Sequence, residues 1–296
     1  MRKSLWSLLL VILFSLSSFG ATKTIKHELG EAKINGIPKR VVVFDYGLLD
    51  IVDAVNGNVV GVVKENLPQS LKKFNDKKYT NIGTLFEPNY ETIIKLKPDL
   101  ILISGRQAKV YKELNKIAPT IYLTVDGPTY MNDLKKNARL IGDIFDKKSV
   151  VENRLASIDK SIKSLNKKTT NNNALFLLVN GNALSVYGKG SRFDMLYSVF
   201  GFKPADTNIP VDNHGNKVSY EYILSKNPDY LFVLDRSELI DSKVTAKETL
   251  NNNLIKATKA YKNKKIINLN LENWYLASGG LTVTENIIKE IKTSVK

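Results

Sequence analysis

The chain has 296 residues, with 44 lysines and arginines against 29 aspartates and glutamates, a formal net charge of +15 and no cysteine. The absence of cysteine excludes disulfides, thiolate metal sites and lipid attachment through a thiol. The positive charge is spread over scattered lysines without a basic stripe and interleaved aromatics, so we expect no nucleic-acid partner.

The first twenty residues predict a secretory signal peptide. Arg2 and Lys3 precede an almost wholly apolar run at 5–16, and Ser18 and Gly20 provide small residues before the cleavage point. The run is about a dozen residues long, which is shorter than the roughly 20 that a spanning helix needs. We therefore expect export and cleavage after residue 20 or 21. Because no cysteine can carry a lipid anchor, the periplasm of a Gram-negative cell is the expected location.

The elements that follow alternate between strands and helices. Strands are predicted at 40–44, 59–63 and 100–103, with a helix at 48–55 after the first of them. Such alternation indicates parallel βαβ units.

The same alternation returns in the second half of the chain. Strands are predicted at 174–179, 230–234 and 265–269, and a helix at 193–200. Between the halves, apolar residues recur every three or four positions over 146–165, which predicts one long helix. We thus predict an N-terminal α/β lobe (21–145), a linking helix (146–168) and a C-terminal α/β lobe (169–296), after the signal peptide (1–20).

An internal repeat relates the two halves. Segments 89–100 and 219–230 each predict a short helix with a glutamate in its first turn, a Pro-Asp pair seven residues later and then a strand. The glutamates are Glu91 and Glu221. The helix dipole alone favours glutamate at this position, so one instance would carry no functional meaning. Two instances at the same register form a matched pair.

The duplicated module and the long helix resemble class III periplasmic binding proteins, from about residue 37 to 296. The resemblance implies two Rossmann-like α/β lobes joined by a single long backbone helix. It also implies that the chain is not an enzyme and captures a ferric siderophore, haem or cobalamin between the lobes. Delivery would be to the inner-membrane permease of an ABC importer, with Glu91 and Glu221 docking onto permease arginines. We expect a monomer without an intrinsic cofactor.

Three arginines occupy loops of the kind that line the ligand cleft in this family. Arg106 follows the strand at 100–103, Arg192 lies in the glycine-rich segment 187–192, and Arg236 follows the strand at 230–234. Each alone would suit a surface salt bridge. Together they suit a multiply anionic ligand, because a planar guanidinium donates two parallel N–H hydrogen bonds to catecholate or carboxylate oxygens.

Two further residues are candidate iron ligands, His214 in the polar loop 209–216 and Tyr275 in the loop after 265–269. Fe(III) accepts a phenolate, since the cation displaces the phenol proton. From the residues alone, two other interpretations remain open: that the histidine is a solvated loop residue, and that the tyrosine is buried and hydrogen-bonded to the backbone. The other histidine, His27, is interpreted as an incidental residue of an exposed leader.

The likeness is greatest to catecholate siderophore binders, which supply one histidine and one tyrosine to iron and flank it with three arginines. It implies that His214 and Tyr275 are the metal ligands and that Fe(III) arrives as a siderophore complex.

Other ligands are possible on the same scaffold. A haem binder could use Tyr275 as axial ligand, and cobalamin or hydroxamate-siderophore binding are further alternatives. Haem and the near-neutral hydroxamate complexes require less positive charge than three arginines supply. No Walker A, G-x-S-x-G or H-E-x-x-H motif indicates an enzyme.

Overall fold

The structure is a computed structural model that describes residues 22–295. The predicted signal peptide lies outside the described residues. Within 22–295, no helix is both long and apolar enough to cross a membrane.

The first half of the chain forms a hairpin and a parallel sheet. Its strands are β1 (Thr22–His27), β2 (Gly30–Asn35), β3 (Val41–Val43), β4 (Val59–Val62), β5 (Thr80–Asn81), β6 (Leu100–Ile103) and β7 (Thr120–Tyr122). The last five make the first sheet, in the order β5-β4-β3-β6-β7, with every neighbouring pair parallel. All side chains of β3 and β6 are buried, as expected for parallel strands covered on both faces. β1 and β2 pair with each other and pack beside β7.

Helices cover both faces of this sheet and lead to the second half. They are α1 (Tyr46–Ala54), α2 (Tyr90–Leu96), α3 (Tyr111–Ile117), α4 (Tyr130–Ile144) and α5 (Lys148–Thr169), with 3₁₀ segments at Gln69–Asn75 and Gly105–Val110. The long helix α5 begins two residues later than predicted, because Asp146 has a φ of 53° that no right-handed helix accommodates. It continues to Thr169, where Lys167 and Lys168 lie at the negative end of the helix dipole.

The second half is built on a mixed sheet. Its strands are β8 (Asn173–Asn180), β9 (Ala183–Tyr187), β10 (Lys203–Pro204), β11 (Asn216–Lys217), β12 (Tyr230–Asp235) and β13 (Ile266–Asn268). The order is β11-β9-β8-β12-β13, with β10 also paired to β8. β8, β12 and β13 are parallel, whereas β9 is antiparallel to both its neighbours. β8 and β9 form a hairpin around Gly181 and Asn182, a two-residue turn typical of hairpins.

The helices of this half are mostly short. They are α6 (Met195–Ser198), α7 (Tyr220–Lys226), α8 (Ala246–Thr249), α9 (Asn253–Ala257), α10 (Lys259–Lys262) and α11 (Leu281–Ser294), with a 3₁₀ turn at Ser237–Ile240 and a π-helical turn at Glu272–Leu276. The helix predicted at 193–200 is reduced to the single turn α6. Hydrogen bonds of the preceding loop explain this, since Asp194 accepts from the backbone N–H of Gly190 and holds the chain in a turn.

The last helix returns to the first half of the molecule. α11 packs against α1 and α5. Asp50 of α1 accepts a 2.7 Å hydrogen bond from the N–H of Thr282, and Arg154 of α5 donates to both carboxylate oxygens of Glu285. One buried apolar cluster therefore runs from the first sheet through α5 and α11 to one face of the second sheet. The other face of that sheet has a smaller cluster of its own. The boundaries given above for the lobes stay a prediction.

The repeated segments fold alike. α2 is capped by Asn89 and α7 by Ser219, and each cap accepts from the N–H three residues on. Each helix ends at a left-handed residue, Lys97 (φ 46°) or Asn227 (φ 41°).

The aspartates of the two Pro-Asp pairs have matching roles. Asp99 accepts from the backbone N–H groups of Lys39 and Arg40, just before β3. Asp229 accepts from the N–H of Asn173, at the start of β8. In both sheets the aspartate thus ties its own strand to the neighbouring one.

Candidate functional site

A cavity of about 510 Å³ lies between the two halves. The first half lines it with the loops that follow β3, β6 and β7, because the carboxyl ends of parallel strands meet at one edge of a sheet. The second half contributes Arg192, Asn213 and the turn around Tyr275. The arrangement is an open, polar cleft that a ligand would contact from both sides.

A hydrogen-bond network fixes the loop that carries Arg106. Asp45 caps α1 by accepting from the N–H of Leu48, and its second oxygen accepts from the Ser104 hydroxyl at 2.8 Å. The N–H of Ser104 in turn donates to the side chain of Gln107. Arg106 lies between these two residues, half-buried and lining the cavity.

Arg192 projects from the loop that follows β9. Its side chain is exposed, and its guanidinium carbon lies 4.3 Å from the centre of the Tyr275 ring. The loop passes close to the first half at Gly127, where a β-carbon would collide with the carbonyl oxygen of Ser191. The two halves therefore touch beside Arg192, and only glycine fits at this contact.

Tyr275 lies on the π-helical turn, in which the N–H of Ala277 donates to the carbonyl of Glu272 five residues earlier. Turns of this kind are rare in proteins, but those that occur are frequently at functional sites. Arg236 also approaches the Tyr275 ring, at 5.1 Å from its centre. Two guanidinium groups thus contact one aromatic ring, a cation–π arrangement that keeps both charges at the cleft.

Arg236 is held at the end of β12, where its N–H donates to the carbonyl of Val179. Its Nε is enclosed and has no hydrogen-bond partner among the residues that the structure describes. A buried donor without an acceptor costs about 1–3 kcal/mol, and more when it is charged. Arg236 approaches Tyr275 but is not among the residues that line the cavity.

His214 is placed differently from the arginines and Tyr275. Its side chain is exposed and does not line the cavity, although its neighbour Asn213 does. The backbone N–H of His214 donates to the carboxylate of Asp212. The next residue, Gly215 (φ 74°), has its backbone against the ring of Tyr187. Between residues 22 and 295, no three His, Asp or Glu side chains are grouped to hold a metal ion by themselves.

The interpretation of His27 as part of an exposed leader is wrong. His27 ends β1, and its ring packs edge-on against Tyr111 with the centroids 5.3 Å apart. Both ring nitrogens are enclosed, and burial lowers the pKa of the imidazole. The residue belongs to the packing between the hairpin and α3.

Two acidic residues in the cleft were not predicted. Asp45 and Asp126 follow β3 and β7 and line the cavity opposite Arg192. Asp45 comes directly after the strand predicted at 40–44, which was the signal that could have identified it, whereas Asp126 lies four residues after β7, a strand that was not predicted. The cleft is consequently cationic on one side and mixed in charge on the other.

The two repeated glutamates are exposed and occupy the same position in their helices. Glu91 and Glu221 are each the second residue of the helix. Glu91 forms an i,i+4 ion pair with Lys95, whereas the hydroxyl of Ser219 holds the pKa of Glu221 below its usual range. Both carboxylates therefore remain available at the surface.

Comparison with known proteins identifies the family. A family model described as periplasmic binding protein matches residues 41–271, and the chain belongs to this family. The petrobactin-binding protein YclQ of Bacillus subtilis is 44% identical over 92% of this chain and 88% of its own. Its crystal structure superposes with a TM-score of 0.90, covering 93% of this chain and 99% of that one.

Two further relatives come from Vibrio. The periplasmic catecholate-siderophore binding protein VctP of Vibrio cholerae is 35% identical with a TM-score of 0.86, over 92% of this chain and 100% of its own. The ferric-anguibactin-binding protein FatB of Vibrio anguillarum is 34% identical over 90% and 85% of the two chains. The predicted α/β fold of class III periplasmic binding proteins is confirmed, and the family consists of binding proteins and not of enzymes.

Proposed function

We propose that this protein captures an anionic ferric catecholate-type siderophore between its two halves and delivers it to an ABC importer for iron uptake. The observation that carries the proposal is the approach of Arg192 and Arg236 to Tyr275, beside a cavity that Arg106 also lines. The names of the relatives, which include petrobactin- and catecholate-siderophore-binding proteins, support it.

The arginines would recognise the charge of the complex. Catecholate oxygens bound to Fe(III) carry net negative charge, and each guanidinium donates two directed hydrogen bonds to such oxygens. Arg236 does not line the cavity, so its part in recognition requires its guanidinium to turn from the Tyr275 ring toward the ligand.

Tyr275 and His214 would bind the metal. Fe(III) is cargo here, and it arrives with most of its coordination sites filled by the siderophore. One phenolate and one imidazole complete six-coordination when the siderophore supplies only four oxygens. The exposed position of His214 requires its loop to move toward Tyr275, which loops of this kind allow.

The remaining parts of the assignment concern delivery. We place the protein in the periplasm as a monomer, with Glu91 and Glu221 docking onto the permease in the inner membrane. The matched capping of α2 and α7 supports this, because it places the two carboxylates at the same position of the repeated helix. Haem, cobalamin and hydroxamate siderophores are less suited to a cleft with three arginines.

Titration of the purified mature protein with matched iron complexes tests the proposal. We expect a ferric bis-catecholate to quench the fluorescence of Trp274, which is adjacent to Tyr275, and to change its own visible absorbance on binding. A ferric hydroxamate and haem should bind more weakly. Tighter binding of either competitor would overturn the catecholate assignment.

A further inference from the structure

The carboxylate of Glu290, on α11, spans the turn that carries Tyr275. One of its oxygens accepts from the backbone N–H of Asn270 and the other from the indole N–H of Trp274, both at 2.7 Å. Asn270 precedes the π-helical turn and Trp274 is the direct neighbour of Tyr275. The Glu290 side chain therefore fixes both the start of the turn and the residue next to the proposed iron ligand.

Trp274 has few alternative positions. It is 1% exposed, and its indole packs against Phe176 and Phe200 with ring centroids 5.7 and 6.2 Å away. A buried indole N–H needs an acceptor, and Glu290 provides it. Burial raises the pKa of Glu290, and the hydrogen bonds from Trp274 and Asn270 oppose that rise.

The helix that carries Glu290 is itself anchored to the first half. Thr282, at its start, is bound by Asp50, and Glu285 is paired with Arg154. Glu272 of the π-helical turn additionally accepts from the N–H of Gln69 at 2.8 Å. The position of Tyr275 is thus set from the first half, although β13 leads into the turn from the second sheet.

The Tyr275 ring itself is contacted by the long side chains of Arg192 and Arg236. These side chains would turn toward a bound ligand, so they do not fix the direction of the tyrosine. That direction depends on the backbone of the turn, and hence on the two hydrogen bonds of Glu290.

We infer that Glu290 is a positioning residue for iron coordination: through Asn270 and Trp274 it aims the Tyr275 phenol at the metal. The inference rests on the function proposed above. Glu290 itself would not contact the ligand. It requires that loss of the carboxylate impair coordination by Tyr275 while recognition by the arginines persists.

The test compares two ferric catecholates, a tetradentate one that leaves two iron sites open and a hexadentate one that leaves none. The measured quantity is the ratio of their affinities, from titrations followed by the visible absorbance of the complexes, because Trp274→Phe removes the tryptophan fluorescence. Glu290→Gln should lower the preference for the tetradentate complex by about tenfold, the effect of one well-made hydrogen bond. Affinity for the hexadentate complex should stay unchanged. Trp274→Phe, which keeps an aromatic ring and removes the N–H, should act in the same direction.

Glu152→Gln is the control, because Glu152 is a surface carboxylate that pairs with Arg139, away from α11 and the turn. It should leave the ratio unchanged. Combining Glu290→Gln with Tyr275→Phe should lower the ratio no further than Tyr275→Phe alone. If Tyr275→Phe lowers the ratio but Glu290→Gln and Trp274→Phe do not, the positioning role is wrong. If Tyr275→Phe also has no effect, the proposed iron coordination is wrong.

Discussion

The guanidinium carbon of Arg192 lies 4.3 Å from the centre of the Tyr275 ring, although 83 positions separate the two residues in the sequence. This contact brings a positive charge to the phenol that we propose as an iron ligand. In the proposed function, charge recognition and coordination thus belong to adjacent groups, and variants of each can separate them.

The first prediction concerns charge recognition. Arg192→Ala and Arg236→Ala should each weaken binding of a ferric catecholate by about 1–3 kcal/mol, the usual range for hydrogen bonds to charged groups. Arg139→Ala is the matched control, since Arg139 pairs with Glu152 on the surface and neither lines the cavity nor approaches the Tyr275 ring. Fluorescence titration measures all three variants. Unchanged affinity in both cleft variants would contradict the assignment.

The second prediction concerns delivery. A Glu91→Ala, Glu221→Ala double variant should bind the ferric siderophore normally and fail to support iron uptake in cells that depend on this importer. Both side chains are exposed and make no contact with the cleft, so ligand affinity should not change. An exposed glutamate of the hairpin, Glu31, provides the control as Glu31→Ala. Normal uptake by the double variant would mean that the repeated glutamates serve only to begin their helices.

Part of the fold was predictable because its strands are continuous apolar runs. β3, β6 and β12 lie within one or two residues of the predicted positions. β11 was missed, because two polar residues carry no apolar pattern, and its pairing depends on a neighbour about thirty positions away. β9 was also not predicted, although Gly181 and Asn182 are a hairpin signal.

The site was predictable where its residues follow predicted strands. Arg106, Arg236 and Tyr275 were selected on that basis, and Arg192 because of its glycine-rich loop. The structure brings Arg106, Arg192 and Tyr275 to one cavity, whereas Arg236 approaches Tyr275 without lining that cavity. Their roles in binding stay predictions. Glu290 could not be found in this way, because its contact with Trp274 depends on how α11 packs and not on any local pattern.

The third prediction concerns pH and stability. Burial raises the pKa of Asp50 to about 6, and the hydrogen bond from Thr282 and the charge of Arg154 oppose the rise. The folded protein therefore binds a proton more tightly than the unfolded chain between about pH 4 and pH 6. In this window the free energy of unfolding should increase as the pH falls, by up to about 3 kcal/mol from this group.

Asp50→Asn should remove that dependence, because an amide cannot titrate and still offers an oxygen to the N–H of Thr282. Urea unfolding at pH 4.5 and pH 7 would measure it. The exposed Asp241, changed to Asn, should leave the dependence as it is in the natural protein. A profile that keeps its full slope in Asp50→Asn would show that other groups cause it.

The last prediction concerns the metal. A tetradentate bis-catecholate leaves two iron sites to water, whereas a hexadentate complex leaves none. If Tyr275 and His214 fill those sites, Tyr275→Phe and His214→Ala should weaken binding of the tetradentate complex far more than that of the hexadentate one. The two complexes differ in charge, but each variant is compared with the natural protein for the same complex, so recognition by the unaltered arginines largely cancels.

Tyr261→Phe is the control for the tyrosine, because Tyr261 is 44% exposed and lies outside the cavity. It should affect neither complex. His214 is exposed and does not line the cavity, so its contribution requires the loop at 209–216 to close on the ligand. Slower release of the tetradentate complex from the natural protein than from His214→Ala, measured by stopped-flow fluorescence, would report that closure. Equal losses for both complexes in the two variants would leave the arginines as the sole recognition element and exclude coordination by these residues.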